Sequence, residues 1–185
     1  MRQFLSAPFV AALLPLANSA LAADAKDYTP KNGMLTASIP PGEQQSLAQI
    51  ILINNTKVAV EGSESKTASG ITCTAASLGI PATTMRNIAA ENRFDVLGDA
   101  IAKALGGKPG NKTDITNNGV AGKEFLVETK DGVAKVRLYT VGGFVLYAVV
   151  QAKNKDDLAA KEANAFLDGF KLSDNAKTTF QSINR

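Results

Sequence analysis

Histidine and tryptophan are absent from this 185-residue chain, and cysteine occurs once, at Cys73. Without histidine the chain lacks the commonest general base and the commonest transition-metal ligand. A zinc site would have to be built from carboxylates and Cys73 alone. One cysteine excludes an intramolecular disulfide. It also lies far from the N-terminus, where a lipid anchor would need it. No G-x-S-x-G is present. Gly106-Gly107-Lys108-Pro109-Gly110-Asn111-Lys112 has neither the GxxxxGK[ST] spacing nor a following helix, so it reads as a helix C-cap and loop. No cofactor motif is found.

Long apolar runs are also missing. The longest is N-terminal, from Phe4 to Leu16, preceded by Arg2 and interrupted by Pro8 and Pro15. It falls short of the about 20 apolar residues that span a bilayer. With Asn18-Ser19-Ala20-Leu21-Ala22 after it, the segment has the three parts of a secretory signal peptide, 1–22, with cleavage expected after Ala22. That reading makes the protein periplasmic or secreted, without a membrane span or lipid anchor. Removing Arg2 takes the net charge from +3 to +2. The basic residues are scattered among acidic ones, which excludes a nucleic-acid footprint.

What remains reads as one α+β domain, 23–173, followed by a polar, frayed tail, 174–185. Met34–Ile39 is a short strand stopped by Pro40-Pro41. Ile50-Ile51-Leu52-Ile53 is a buried strand or a helical turn, which periodicity alone does not decide. Val58–Glu61 and Gly70–Ser77 read as a strand pair joined through Glu61-Gly62-Ser63-Glu64. A helix is expected from Thr83-Thr84 to about Leu105, ended by Gly106-Gly107. Lys108–Asn118 is a polar loop with a short edge strand near Asp114–Thr116.

The strongest pattern lies between Gly119 and Leu172. Lys123–Thr129, Val133–Val141 and Phe144–Ala152 alternate as strands, joined at Asp131-Gly132 and Gly142-Gly143. Two-residue turns at both sites set Phe125 opposite Leu138, Val127 opposite Val136, and Leu138 opposite Tyr147. One face is then apolar: Phe125, Val127, Val136, Leu138, Val145, Tyr147 and Val149. The other carries Leu126, Tyr139, Leu146, Ala148 and Val150, interrupted by Glu124, Glu128, Lys135 and Arg137. Phe144–Ala152, apolar on both faces, belongs at the sheet centre. A helix Asn154–Phe170 follows, N-capped by Asn154, burying Ala159, Ala163, Phe166, Leu167 and Phe170. The fold class expected is an antiparallel sheet of about six or seven strands with helices packed on it.

The order of these elements, with Leu105-Gly106-Gly107-Lys108, Gly119-Val120-Ala121-Gly122-Lys123-Glu124-Phe125, Val136-Arg137-Leu138-Tyr139, Leu146-Tyr147-Ala148-Val149 and the closing Ala165-Phe166-Leu167-Asp168-Gly169-Phe170-Lys171-Leu172, resembles secreted bacterial proteins of PsbP-like fold, an α/β/α sandwich. The resemblance covers most of 33–172. It implies binding and assembly roles rather than catalysis, and it carries no functional motif onto this chain.

The candidate binding residues are therefore Arg137, Tyr139, Lys135, Glu124, Glu128 and Leu126 on the mixed face, read either as a ligand or partner surface or as cross-strand ion pairs. The Lys108–Asn118 loop is a second candidate surface. Glu91, Asp95 and Asp99, a helical turn apart, form a carboxylate row, read as a solvated helix face rather than a calcium site. Cys73 is a redox nucleophile or a small buried hydrophobe. No catalytic residue and no metal ligand is assigned. The reading that follows is an exported, non-enzymatic binding or assembly module whose partner is another exported or envelope protein. The alternatives are a histidine-independent carboxylate hydrolase and a small-ligand carrier with an apolar cavity.

Overall fold

The structure is a computed structural model and describes residues 25–183. The expected signal peptide, 1–22, lies outside the described residues. The chain is α+β. Its main sheet is antiparallel and curled, and is built from β3 (Glu43–Ile53), β4 (Thr56–Lys66), β5 (Thr72–Gly79), β8 (Val120–Thr129), β9 (Gly132–Val141) and β10 (Phe144–Ala152). Two short strands, β6 (Gly107–Pro109) and β7 (Thr113–Asn117), share its last position. The order is β3-β4-β5-β10-β9-β8-β6, with β7 also on β8. A second sheet joins β1 (Lys26–Tyr28), β2 (Leu35–Ile39) and β11 (Lys171–Leu172).

Cores form on both faces of the main sheet. On one, Phe125, Val127, Val136, Leu138, Val145, Tyr147 and Val149 meet Ile51, Ile53, Val58 and Val60 together with the helices α1 (Ala82–Arg86) and α2 (Arg93–Ala104). On the other, Tyr139, Leu146, Ala148 and Val150 pack under β2 and the helices α3 (Lys161–Gly169) and α4 (Asp174–Ile183). β10 sits centrally between β5 and β9, as its two apolar faces require.

The second hairpin has the expected register, with Leu138 opposite Tyr147 and Val136 opposite Val149. The first differs. Thr129 pairs with Gly132, so the turn is Lys130-Asp131, and Phe125 stands opposite Val136 rather than Leu138. Gly132 is the first residue of β9, and only glycine fits there, because a Cβ would lie 2.2 Å from the Ala152 carbonyl oxygen. The slip is two residues, so every side chain keeps its expected face.

Several expectations are corrected. β4 continues through Glu61–Glu64 to Lys66, and the connection to β5 lies beyond it, where Gly70 N–H donates to the Thr67 carbonyl. The helix expected from Thr83 to Leu105 is broken after Asn87 into α1, a 3₁₀ turn Ala90–Asn92, and α2. At about 100° per residue, Ile88 and Leu97 would point to opposite sides of one continuous helix. The break at extended Ala89 lets both enter the same core.

The helix expected from Asn154 is likewise a 3₁₀ turn, Asp156–Ala159, followed by α3, with Ala160 extended between them. Leu158 is buried in place of Ala159, and Asn154 is not the cap of α3. On a continuous helix Leu158 and Ala163 would stand about 140° apart. Residues 174–183, expected as a frayed tail, form α4. The Ser173 hydroxyl accepts from Ala176 N–H at 3.3 Å, Asp174 lies in the first turn, and Ala176 is buried.

Candidate functional site

Glu124 and Arg137 are direct neighbours across β8 and β9. Arg137 Nε donates to Glu124 Oε2 at 2.8 Å, and one terminal nitrogen donates to the Leu167 carbonyl at 2.9 Å. Asp168 Oδ1 lies 4.0 Å from the same guanidinium. The guanidinium thus supplies a donor to an orphan carbonyl near the end of α3 and ties that helix to the sheet.

Tyr139, two residues along, is only 1% exposed and stacks on Phe170, with ring centroids 6.0 Å apart at 15°. Gly122 makes room for it: a Cβ there would meet the Tyr139 ring at 2.4 Å. Burial pushes the Tyr139 hydroxyl pKa up, opposed by the Asn117 side chain and the Arg137 charge. Asn117 also donates to the Phe170 carbonyl at 2.8 Å and accepts from Leu172 N–H at 3.1 Å. Asn118 donates to the Leu172 carbonyl at 3.0 Å. These contacts seat Phe170–Leu172 on β7.

The six predicted binding residues therefore separate. Glu124, Arg137 and Tyr139 form an internal clasp, of which Arg137 reaches a shallow groove of about 520 Å³ with Asn118, Asp168 and Lys171. Leu126 and Glu128 lie farther along the same face of β8, lining an open groove of about 710 Å³ with Lys108, Pro109 and Lys155. Lys135 stands opposite Leu126 and forms no ion pair among the described residues.

The Lys108–Asn118 segment is β6, a bend and β7, both strands on β8. Lys112, in the bend, reaches back to α2. Its Nζ lies 2.8 Å from Asp95 and 3.7 Å from Asp99, and sits 5.9 Å from the centre of the Phe125 ring. The hydrogen bond and charge of Lys112 hold the Asp95 carboxyl below its usual range. No group of three or more acidic or thiol ligands suited to a metal ion occurs among the described residues. Cys73 is wholly buried, and burial together with the Glu162 charge pushes its thiol up to about 12. The thiolate needed for nucleophilic chemistry is therefore suppressed.

The feature that sequence reasoning missed is β3. The run Ile50–Ile53 is strand, with Ile51 and Ile53 in the core, yet Ile50 is 67% and Leu52 53% exposed. The small sheet stops short of them, at β4, where the Tyr28 hydroxyl donates to the Glu61 carbonyl at 3.3 Å. An unbroken apolar run announces burial on both sides. Here one side is open.

No strand pairs with the outer edge of β3 among the described residues. Its hairpin closes on Asn54-Asn55, with φ of 45° and 63°, the left-handed pair of a type I′ turn. Ile53 and Thr56 flank the turn as a hydrogen-bonded pair, so odd-numbered residues of β3 direct N–H and C=O toward β4. Even-numbered residues from Gln44 to Leu52 direct theirs outward. No helix among the described residues is long and apolar enough to cross a membrane. Compared with known proteins, the chain matches no family model and no curated protein.

Proposed function

We propose that this chain is an exported, non-enzymatic binding or assembly module of PsbP-like fold, and that its working surface is the outer edge of β3. The ligand class is an extended polypeptide segment of another exported or envelope protein, added as a further strand. The observation that carries this reading is the row of outward backbone groups from Gln44 to Leu52, flanked by exposed Ile50 and Leu52. In strand addition the backbone groups give affinity, and alternate side chains give selectivity. The N-terminal pattern of Arg2, Phe4–Leu16 and Ala20-Leu21-Ala22 supports export.

The hydrolase alternative needs two carboxylates facing each other across a pocket. Asp95 and Asp99 lie on α2 against Lys112, over one face of the sheet. Glu124 lies on the other face, against Arg137. The sheet itself stands between them.

The reading is tested with a fluorescent peptide of alternating valine and threonine flanked by lysines, titrated into residues 23–185. Saturable binding is expected, weakened more than about tenfold by Ala48→Pro. That substitution removes an outward N–H and spares the β3–β4 ladder. Equal binding by the variant, or none by the native chain, contradicts the assignment. A reporter active only after export, fused to residues 1–22, tests the export half.

A further inference from the structure

We infer that the outer edge of β3 pairs with β3 of a second copy of this chain, antiparallel and about a two-fold axis through Ile50. This rests on the assignment of β3 as the working edge and goes beyond it by making the chain itself the occupant of that edge when no partner strand is bound.

From Gln44 to Ile53 the strand contains no charged residue, no proline and no glycine. Most exposed edges carry such residues to repel other strands. Two copies laid antiparallel here bring no like charges together, because the nearest acidic residue, Glu43, lies beyond the paired segment. Centring the axis on Ile50 sets Ile50 against its symmetry mate and Leu52 against Ala48. Only even-numbered residues meet even-numbered ones, so the exposed side chains of both copies share one face. The outward N–H and C=O groups of Ala48, Ile50 and Leu52 then face each other as hydrogen-bonded pairs.

The opposite edge explains why the assembly stops at two. There β6 is three residues long and contains Lys108 and Pro109, and β7 contains Asp114. Among the described residues the main sheet of each copy therefore offers one long uncharged edge, and an isologous pairing there closes on itself instead of extending as a fibre. The contact is a strand pair with few large side chains, well below the about 800 Å² per partner of a standard interface. A dimer with a dissociation constant on the order of micromolar or weaker is expected.

Sedimentation equilibrium of residues 23–185 across a wide concentration range tests this. A monomer–dimer equilibrium is expected in the native chain. Ile50→Lys opposes two like charges at the axis and should weaken it more than about tenfold. Ala48→Pro should do the same by removing an outward N–H. Ala121→Lys should leave it intact, since Ala121 is exposed on β8, at the far end of the main sheet from β3. Circular dichroism of each variant establishes that it is folded; should Ile50→Lys not fold, Leu52→Lys replaces it. A native chain that stays monomeric overturns the inference, as does a dimer indifferent to all the edge substitutions. A monomer that still binds the valine–threonine peptide rejects self-pairing alone. A monomer that does not bind the peptide rejects the edge as a working surface as well.

Discussion

The two ends of the main sheet are built on opposite plans. At the β8 end the last position is split between β6 and β7, separated by a bend, and carries Lys108, Pro109, Lys112 and Asp114. Lys112 closes the bend down onto α2. At the other end β3 runs for 11 residues, ten of them uncharged in succession, with two large aliphatic side chains in water. One sequence thus contains a guarded edge and an unguarded one. The guarded edge shows that this chain has the usual means of discouraging strand addition. Their absence from β3 is what supports the proposal that strands add at that edge.

The contrast can be broken most forcefully on β3 itself. Ile53→Ala should cost about 2–5 kcal/mol in urea unfolding, because Ile53 is 1% exposed in the core under α1 and α2. Leu52→Ala, one residue away and half exposed, should cost less than about 1 kcal/mol. Equal costs would mean that β3 is buried on both faces and that its outer side is not a surface.

A smaller effect separates the open edge from the clasp. Arg137→Met removes the donors to Glu124 and the Leu167 carbonyl and should lower stability by about 1–3 kcal/mol. It should leave peptide binding and dimerisation unchanged. Lost binding in a fully folded variant would return the working surface to the face around Arg137 and Tyr139.

The smallest effect concerns the guarded edge. Lys112→Met should lower the unfolding midpoint slightly at neutral pH, with a signed pH dependence. Lys112 lowers the Asp95 pKa in the folded chain, so this pair stabilises above the ordinary aspartate value. Its contribution is lost as the pH falls through the lowered value. The difference between native chain and variant should therefore shrink below about pH 4. A difference that persists unchanged in acid would assign the role of Lys112 to packing over Phe125 alone.

Much of the architecture was legible in the residues, and what was not has physical causes. Gly142-Gly143 and the alternation of Val133–Val141 and Phe144–Ala152 sufficed for a correct register, because a tight turn fixes pairing locally. Asp131-Gly132 misled by two residues, since Gly132 is required by the close approach of the Ala152 carbonyl rather than by the turn, and the local sequence does not reveal that neighbour. The helix breaks at Ala89 and Ala160 were readable from angular spacing, with Ile88 and Leu97 half a turn out of phase. So was α4, in Ser173-Asp174 and the spacing of Ala176, Phe180 and Ile183.

The site was less legible. Residue type suggested that Arg137 and Tyr139 face a partner, but α3 and Phe170 occupy that place. Conversely, apolar character argued that Ile50 and Leu52 are buried. Only their exposure in the folded chain shows that nothing described covers them.

The most direct test of the open edge is amide hydrogen exchange along β3 at low and high protein concentration. In dilute solution the amides of Ala48, Ile50 and Leu52 should exchange rapidly, and those of Gln49, Ile51 and Ile53 slowly, following the alternation of the β3–β4 ladder. At high concentration the even-numbered set should become protected while the odd-numbered set hardly changes. Protection without alternation, or alternation that ignores concentration, would contradict a self-pairing edge.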